Sequence, residues 1–313
     1  MKLKSIEIGG YKTENNVFLA PLAGFSDFSM RGICQDFGAG LTFTEMVSCK
    51  GLLYSDENTT SLLKTAKNEK IKCAQIFGND PKLMRRAIEE TELKNFDIID
   101  VNFGCPMPKI YMNGEGSALL KNPALAEYIV SECKKTGKPI TVKMRIGLTE
   151  NTINGVEFAK AVENGGADMI TVHGRTRDKI YAGDVNAAEI AEIKNAVKVP
   201  VIANGGIFTK EDADRLYEST GADGVMLARG ALEHPWLFAE ILGKPYKADK
   251  KALIFRQIDD LKTVYDDRTV AVTFRKQLCL YLKGERNSNE LKQKILRLTS
   301  TDEIKREIYE FFG

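Results

Sequence analysis

Eight short apolar runs, each bounded by Gly, Pro or Asp, recur through the first 230 residues: Val17–Ala20, Leu41–Glu45, Lys72–Phe77, Ile98–Asn102, Ile140–Met144, Met169–Val172, Val201–Ala203 and Gly224–Leu227. Segments of helical spacing separate most of them. In Pro81–Glu92 the apolar positions are Leu83, Ala87 and Ile88, and in Asn154–Glu163 they are Val156, Phe158, Ala159 and Val162. Strands alternating with helices demand a parallel sheet. Runs such as Val201–Ala203 are apolar on successive residues, as expected of strands covered on both faces. Eight such units match a (β/α)₈ TIM barrel of about 250 residues. An open doubly wound sheet would carry a GxGxxG turn after its first strand, and none is present there.

After Trp236 the pattern is helical only, over Asp249–Asp266, Val270–Lys283, Asn289–Leu298 and Thr301–Phe312. The expected architecture is an α/β barrel domain over 1–243 followed by a small all-helical domain over 244–313. Charge divides at the same place. Residues 244–313 hold 16 Lys and Arg against 11 Asp and Glu, and Arg268 to Arg297 holds eight against two. The overall balance of +2 hides this basic tail. Such a patch fits a polyanion partner, or a solvated helix face.

Composition narrows the class. A chain of 313 residues with 43% apolar and 28% charged residues is globular material. No run of about 18 uncharged apolar residues is present to cross a bilayer, and MKLKSIEIGG is too charged for a secretory signal, so a cytoplasmic protein is expected. Six scattered cysteines without a CxxC pair, and two histidines, argue against a metal site or a disulfide framework.

In a (β/α)₈ barrel the loops after the strands carry the chemistry. Here they read APLAG (20–24), QIFG (75–78), NFGCP (102–106), KMR (143–145), HGRTR (173–177), NGG (204–206) and ARG (228–230). Asn204-Gly205-Gly206 and Ala228-Arg229-Gly230 follow the last two strands, where main-chain N–H groups and a guanidinium can hold a phosphate. Lys143 is open to three readings: a Schiff-base amine, a cation holding an electron-rich cofactor, or a structural ion pair. His173 ends the neighbouring strand and reads as a ligand contact, whereas His234 reads as structural. Cys105 lies between Gly104 and Pro106 on a loop with Asn102 just before it, so its thiol is available for acid or nucleophilic work.

Taken in order, LAPLAGFSD (19–27), QIFGNDP (75–81), DVNFGCPMPKIYMNGEGSALLKNP (100–123), VKMRIG (142–147), TVHGRTR (171–177), ANGGI (203–207) and LARGAL (227–232) resemble the tRNA-dihydrouridine synthases. FRKQLCLYLKG (274–284) is similar to the helical RNA-binding domain of their bacterial B-type members. The resemblance implies an FMN-dependent enzyme that uses NADPH to reduce uridines of tRNA to 5,6-dihydrouridine. By position, Pro21, Leu22 and Ala23 would line the flavin and Gln75 would hydrogen-bond its edge. Lys143 and His173 would meet its polar ring edge, and Asn204, Gly205, Gly206, Ala228 and Arg229 would hold its phosphate. Asn102 would orient the uracil, Cys105 would donate the proton, and Arg175 or Arg177 would contact substrate or RNA. Arg275, Lys276, Lys283 and Lys292 would grip the RNA backbone. After HGRTR the chain departs from the family pattern at Lys179 and at Asp184-Val185-Asn186, while Tyr181 and Gly183 match.

Three rival readings compete. The first is an FMN barrel acting on a free pyrimidine such as dihydroorotate, against which the basic helical tail argues. The second is a flavin-free Schiff-base lyase built on Lys143. The third is an RNA-binding module on an inactive barrel.

Overall fold

The structure is a computed structural model that describes residues 1–54 and 56–313. A short hairpin, β1 (Glu7–Ile8) and β2 (Tyr11–Lys12), precedes a parallel sheet of eight strands. These are β3 (Val17–Leu19), β4 (Val47–Ser48), β5 (Cys73–Phe77), β6 (Ile98–Phe103), β7 (Ile140–Arg145), β8 (Met169–His173), β9 (Val201–Asn204) and β10 (Gly224–Leu227). The sheet runs from β4 through β5 to β10 and back to β3, and an isolated bridge between Phe18 and Leu41 brings its two edges together. This is the expected (β/α)₈ barrel. Seven of the eight expected strands lie where their apolar runs stand. The second differs: Leu41 and Phe43 touch their neighbours only through isolated bridges, and regular pairing begins at Val47.

The side-chain alternation of a strand sorts the core into two layers. Phe18, Leu41, Phe43, Cys73, Ile98, Met169, Ile202 and Met226 cluster as the inward set, with Ile6 and Ile8 of the hairpin packed on them. The alternate residues, among them Val17, Ala74, Ile99, Val101, Val142, Ile170 and Val225, join the larger cluster beneath the surrounding helices. Helices such as α1 (Phe28–Asp36), α2 (Pro81–Glu90), α3 (Pro123–Lys134) and α4 (Gly155–Asn164) contribute the outer side of that cluster. Capping defines where they start: Asp27, Asp80 and Asn122 accept from main-chain N–H groups of the first turn, and Pro81 and Pro123 open their helices.

The tail forms four helices, α5 (Lys250–Lys262), α6 (Asp267–Tyr281), α7 (Ser288–Ile295) and α8 (Thr301–Phe312), around a core of its own that includes Ile258, Phe274, Leu278, Ile295 and Ile304. It is docked on the barrel at defined points. Gln277 Nε2 donates to the Leu232 carbonyl at 2.8 Å and Ser29 Oγ to Asp260 at 2.7 Å, while Gln257, which accepts from Tyr281 Oη within the tail at 2.9 Å, lies 3.5 Å from Asp27 of the barrel. Ile33 packs with Trp236 and Leu253 across the same seam.

Candidate active site

A cavity of about 520 Å³ opens at the C-terminal ends of the barrel strands. It is lined by Pro21, Leu22 and Ala23, by Gln75, Asn102, Cys105, Lys143 and His173, and by Asn204, Gly205, Gly206, Ala228 and Arg229. Twelve residues singled out for the flavin and the proton, together with Asn102, therefore share one space. Leu280 of α6 reaches the same cavity, so the tail forms part of its wall.

Register explains why these side chains meet. Asn102 of β6 pairs with Lys143 of β7, and Arg145 of β7 pairs with His173 of β8 and so with Asn204 of β9. Polar groups at the ends of parallel strands thus stack on one mouth, above the apolar inward set. Lys143 Nζ makes a hydrogen bond of 3.1 Å to Asn204 Oδ1, the one acceptor it has among the described residues. An ammonium carries three donors. Burial and the neighbouring Arg145 pull its pKa down to about 8, with Asp100 opposing. His173 is held well below its ordinary value by burial and by Lys143, Arg145, Arg175 and Arg229, and is neutral at pH 7.

Cys105 is 8% exposed and lies in a turn outside regular structure. Its main-chain N–H donates to Asn102 Oδ1 at 2.9 Å, and its carbonyl accepts from Ser117 Oγ at 2.7 Å. Burial raises the thiol pKa, with Arg145 and Lys143 opposing, so the group is protonated at neutral pH.

The glycine loop has the conformation that its sequence suggests. Gly205 and Gly206 have φ of +125° and +71°, and a Cβ on Gly205 would come within 2.9 Å of Val185 and 3.0 Å of His173. Arg229 has no carboxylate partner among the described residues and lies over the Tyr181 ring at 4.6 Å and the Phe208 ring at 5.5 Å. A half-buried ammonium with unspent donors, an arginine without a carboxylate partner among the described residues and a glycine-lined cradle fit a flat, electron-rich ring bearing a phosphate. These features fit a flavin.

Several of the basic residues singled out for substrate or RNA also make contacts within the protein. Arg175 is 8% exposed and lines the cavity; it gives Nε and Nη2 to the Gly183 carbonyl at 3.1 and 2.9 Å, anchoring the following loop, and its Nη1 lies 3.3 Å from His173 Nε2. Arg177 stacks on the Tyr111 ring at 3.7 Å, outside the cavity lining. Arg275 is half-buried and donates to the Leu298 carbonyl, and Lys283 pairs with Glu233 of the barrel at 2.7 Å. Lys276 is exposed, lies over the Phe25 ring at 5.0 Å and approaches the APLAG turn, whose Gly24 N–H donates to Glu45. Lys292 is half-buried beside Cys279.

Sequence reasoning missed Arg145. This side chain is 2% exposed and donates to three carbonyls: Gly104 at 3.0 Å, Thr176 at 2.8 Å and Ile180 at 2.8 Å. It ties the cysteine turn to the loop after β8. Its signal was present, because a strand places residues two apart on one face, and Lys143 is two before it.

Comparisons with known proteins identify the family. The family model described as dihydrouridine synthase matches residues 18–312. A probable tRNA-dihydrouridine synthase of Rickettsia conorii is 34% identical, covering 98% of this chain and 96% of its own. The tRNA-dihydrouridine synthase B of Pasteurella multocida is also 34% identical, over 95% of this chain and 93% of its own. A probable tRNA-dihydrouridine synthase of Helicobacter pylori is 36% identical over 97% and 94%. Among solved structures, histamine dehydrogenase from Rhizobium sp. 4-9 aligns with a TM-score of 0.60 at 14% identity, over 88% of this chain and 50% of that one, a likeness of fold. Because the match to the family runs through the barrel and the helical tail alike, at over 30% identity to full-length relatives, the chain belongs to the dihydrouridine synthase family.

Proposed function

We propose that this protein reduces specific uridines of tRNA to 5,6-dihydrouridine, with FMN bound in the barrel cavity and NADPH as the reductant. Residues 1–243 are the catalytic domain and 244–313 the tRNA-binding domain of a cytoplasmic enzyme. The observation that carries the reading is the Cys105 thiol on the same cavity as Lys143, His173, Gln75 and the glycine loops.

Bound FMN would supply the hydride that NADPH brings, delivered to C6 of the uracil ring. Cys105 gives its proton to C5, so the ring gains one hydride and one proton and the C5–C6 double bond becomes single. The raised thiol pKa suits a donor, since the proton stays on sulfur until the acceptor carbon needs it. Lys143 holds positive charge at the polar edge of the site, where negative charge builds during reduction. Neutral His173, whose Nε2 accepts from Arg175 Nη1 at 3.3 Å, adds no further cation to a mouth that already holds Lys143, Arg145, Arg175 and Arg229. Asn204 and the Gly205-Gly206 turn, with Arg229, would hold the phosphate, and Pro21, Leu22 and Ala23 would cover one side of the ring.

A uracil reaches this mouth only after leaving its stack, which costs a few kcal/mol and less in a loop. The helical tail supports a large RNA substrate, because Leu280 lines the cavity while exposed Lys276, Arg286 and Arg297 stand on the same domain. The decisive experiment reconstitutes the purified chain with FMN and incubates it with NADPH and an unmodified tRNA transcript. The expected product is one or more uridines heavier by two hydrogens in nuclease-digest mass spectrometry. A chain that takes up no flavin, or binds it and leaves every uridine unchanged, overturns the reading.

A further inference from the structure

Beneath the cavity, a single line of hydrogen bonds runs from the barrel interior to the cysteine turn. Asp100 of β6 is fully buried. Its two oxygens accept from Thr141 Oγ1 at 2.6 Å and from Gln75 Nε2 at 2.6 Å. Gln75 Oε1 in turn accepts from Asn102 Nδ2 at 2.8 Å. Asn102 Oδ1 accepts from the main-chain N–H groups of Gly104 at 3.1 Å and Cys105 at 2.9 Å.

The direction of this line is forced from both ends. Main-chain N–H groups only donate, so Asn102 must turn its oxygen to the cysteine turn and its nitrogen to Gln75. Gln75 must then turn its oxygen to Asn102 and its nitrogen to position 100, where only an acceptor completes the line. An ionised carboxylate is an acceptor and nothing else, and it demands the same orientations when the line is followed from the other end. Two amides whose ends differ only in polarity thus have one satisfied arrangement. Burial raises the Asp100 pKa to about 6, with Thr141, Gln75 and Lys143 opposing, so the carboxylate is ionised at neutral pH.

We infer that Asp100 is a positioning residue: its carboxylate orients the amides of Gln75 and Asn102 and thereby holds the turn that aims the Cys105 thiol into the cavity. The functional consequence rests on the proposed role of Cys105 as proton donor, whereas the placement of the turn does not. Asp100 lies below the cavity lining and acts only through its neighbours.

The test measures thiol alkylation in the full chain at neutral pH, with iodoacetamide as probe and mass spectrometry to separate the cysteines. Cys279, half-buried on the tail helix α6 and absent from the line, serves as internal reference, because general loosening of the fold speeds both sites while loss of the turn speeds Cys105 alone. Asp100→Ala is expected to raise the Cys105 rate relative to Cys279 by about tenfold. Asp100→Asn keeps an oxygen for Gln75 and can turn its nitrogen to the Thr141 hydroxyl oxygen, so it returns the ratio to near the parent value. In flavin-loaded enzyme, Asp100→Ala lowers single-turnover uridine reduction about 10- to 100-fold with KM for tRNA unchanged. An Asp100→Ala ratio within about twofold of the parent overturns the inference, and so does an Asp100→Asn ratio as high as that of Asp100→Ala. Should Asp100→Ala fail to fold, Gln75→Leu removes the middle link and is held to the same alkylation criterion. Failure of the parent enzyme to reduce uridine would refute the proposed function and leave the alkylation result to decide the inference by itself.

Discussion

At the barrel mouth, Arg145 and Arg175 are buried and Lys143 is half-buried, all three lining the cavity, while in the tail Lys276, Arg286 and Arg297 stand exposed on helix surfaces and turns. Both regions are basic, yet burial divides them. A buried cation has lost its water, so each donor must find a carbonyl, an amide or a ligand, and its position is narrowly set. An exposed cation keeps its water and contributes mainly through a field that salt screens. The mouth can therefore recognise a shape and stabilise a developing charge, whereas the tail can attract a polyanion without reading it closely.

This contrast can be broken experimentally, and the expected effects differ in size. Replacing Cys105 by Ala removes the proton but leaves the flavin contacts, so uridine reduction falls about 10²- to 10⁴-fold while the protein stays yellow. Full activity in that variant would remove the thiol from the mechanism. Lys143→Met deletes the ammonium at the mouth, and a loss of about 10²-fold in single-turnover reduction at matched flavin occupancy is expected. A loss confined to KM for tRNA would instead put Lys143 with the tail residues.

The pH dependence of stability sharpens the same point. Lys143 has a folded pKa of about 8 against an ordinary 10.5, so between those values the unfolded chain binds more protons than the folded one. Burial of the charged form opposes folding by roughly 3 kcal/mol at neutral pH, and that penalty is relieved as pH rises from about 8 towards 10.5. In flavin-free protein, the Tm of the parent should therefore gain on that of Lys143→Met over this window. A constant difference would mean that the amine is well solvated.

In the tail, Lys276→Ala combined with Lys292→Ala is expected to raise KM for tRNA several-fold with kcat unchanged, and to flatten the slope of log affinity against log salt by about 0.7 to 0.9 per charge. An unaltered slope would exclude both side chains from the RNA contact. Smallest of all is Lys283→Ala. Its pair with Glu233 is 62% exposed on the lysine side, so no more than about 1 kcal/mol, a few degrees of Tm, is at stake.

Much of this protein was legible before its structure. Apolar runs at Ile98–Asn102, Ile140–Met144 and Met169–Val172 lie inside observed strands, because a strand covered on both faces must be apolar on successive residues. The second strand was legible only as apolar, since its pairing depends on how the barrel closes against Phe18 and Cys73. Helix ends in the tail differ from expectation by a few residues: the expected start at Val270 becomes Asp267 because Asp266 caps the helix by accepting from Thr269 N–H at 3.0 Å. At the site, Cys105, Lys143 and the glycine loops stood out because their residue types are unusual at strand ends. Arg175 stood out for the same reason, but the sequence does not show that its Nε and Nη2 donate to the Gly183 carbonyl eight residues later while its Nη1 lies beside His173 Nε2.

The sequence by itself determined the alternation of strands and helices, the positions of the flexible glycines and the chemical groups available at the mouth, since these follow from side-chain periodicity and local backbone sterics. Only the tertiary structure decided which of those groups meet. Arg145 clamps three carbonyls, Asp100 sets the polarity of two amides beneath the thiol, and the tail contributes Leu280 to the cavity wall. Each depends on the register of neighbouring strands or on docking between domains, and those are fixed by burial and hydrogen bonding between residues far apart in the chain.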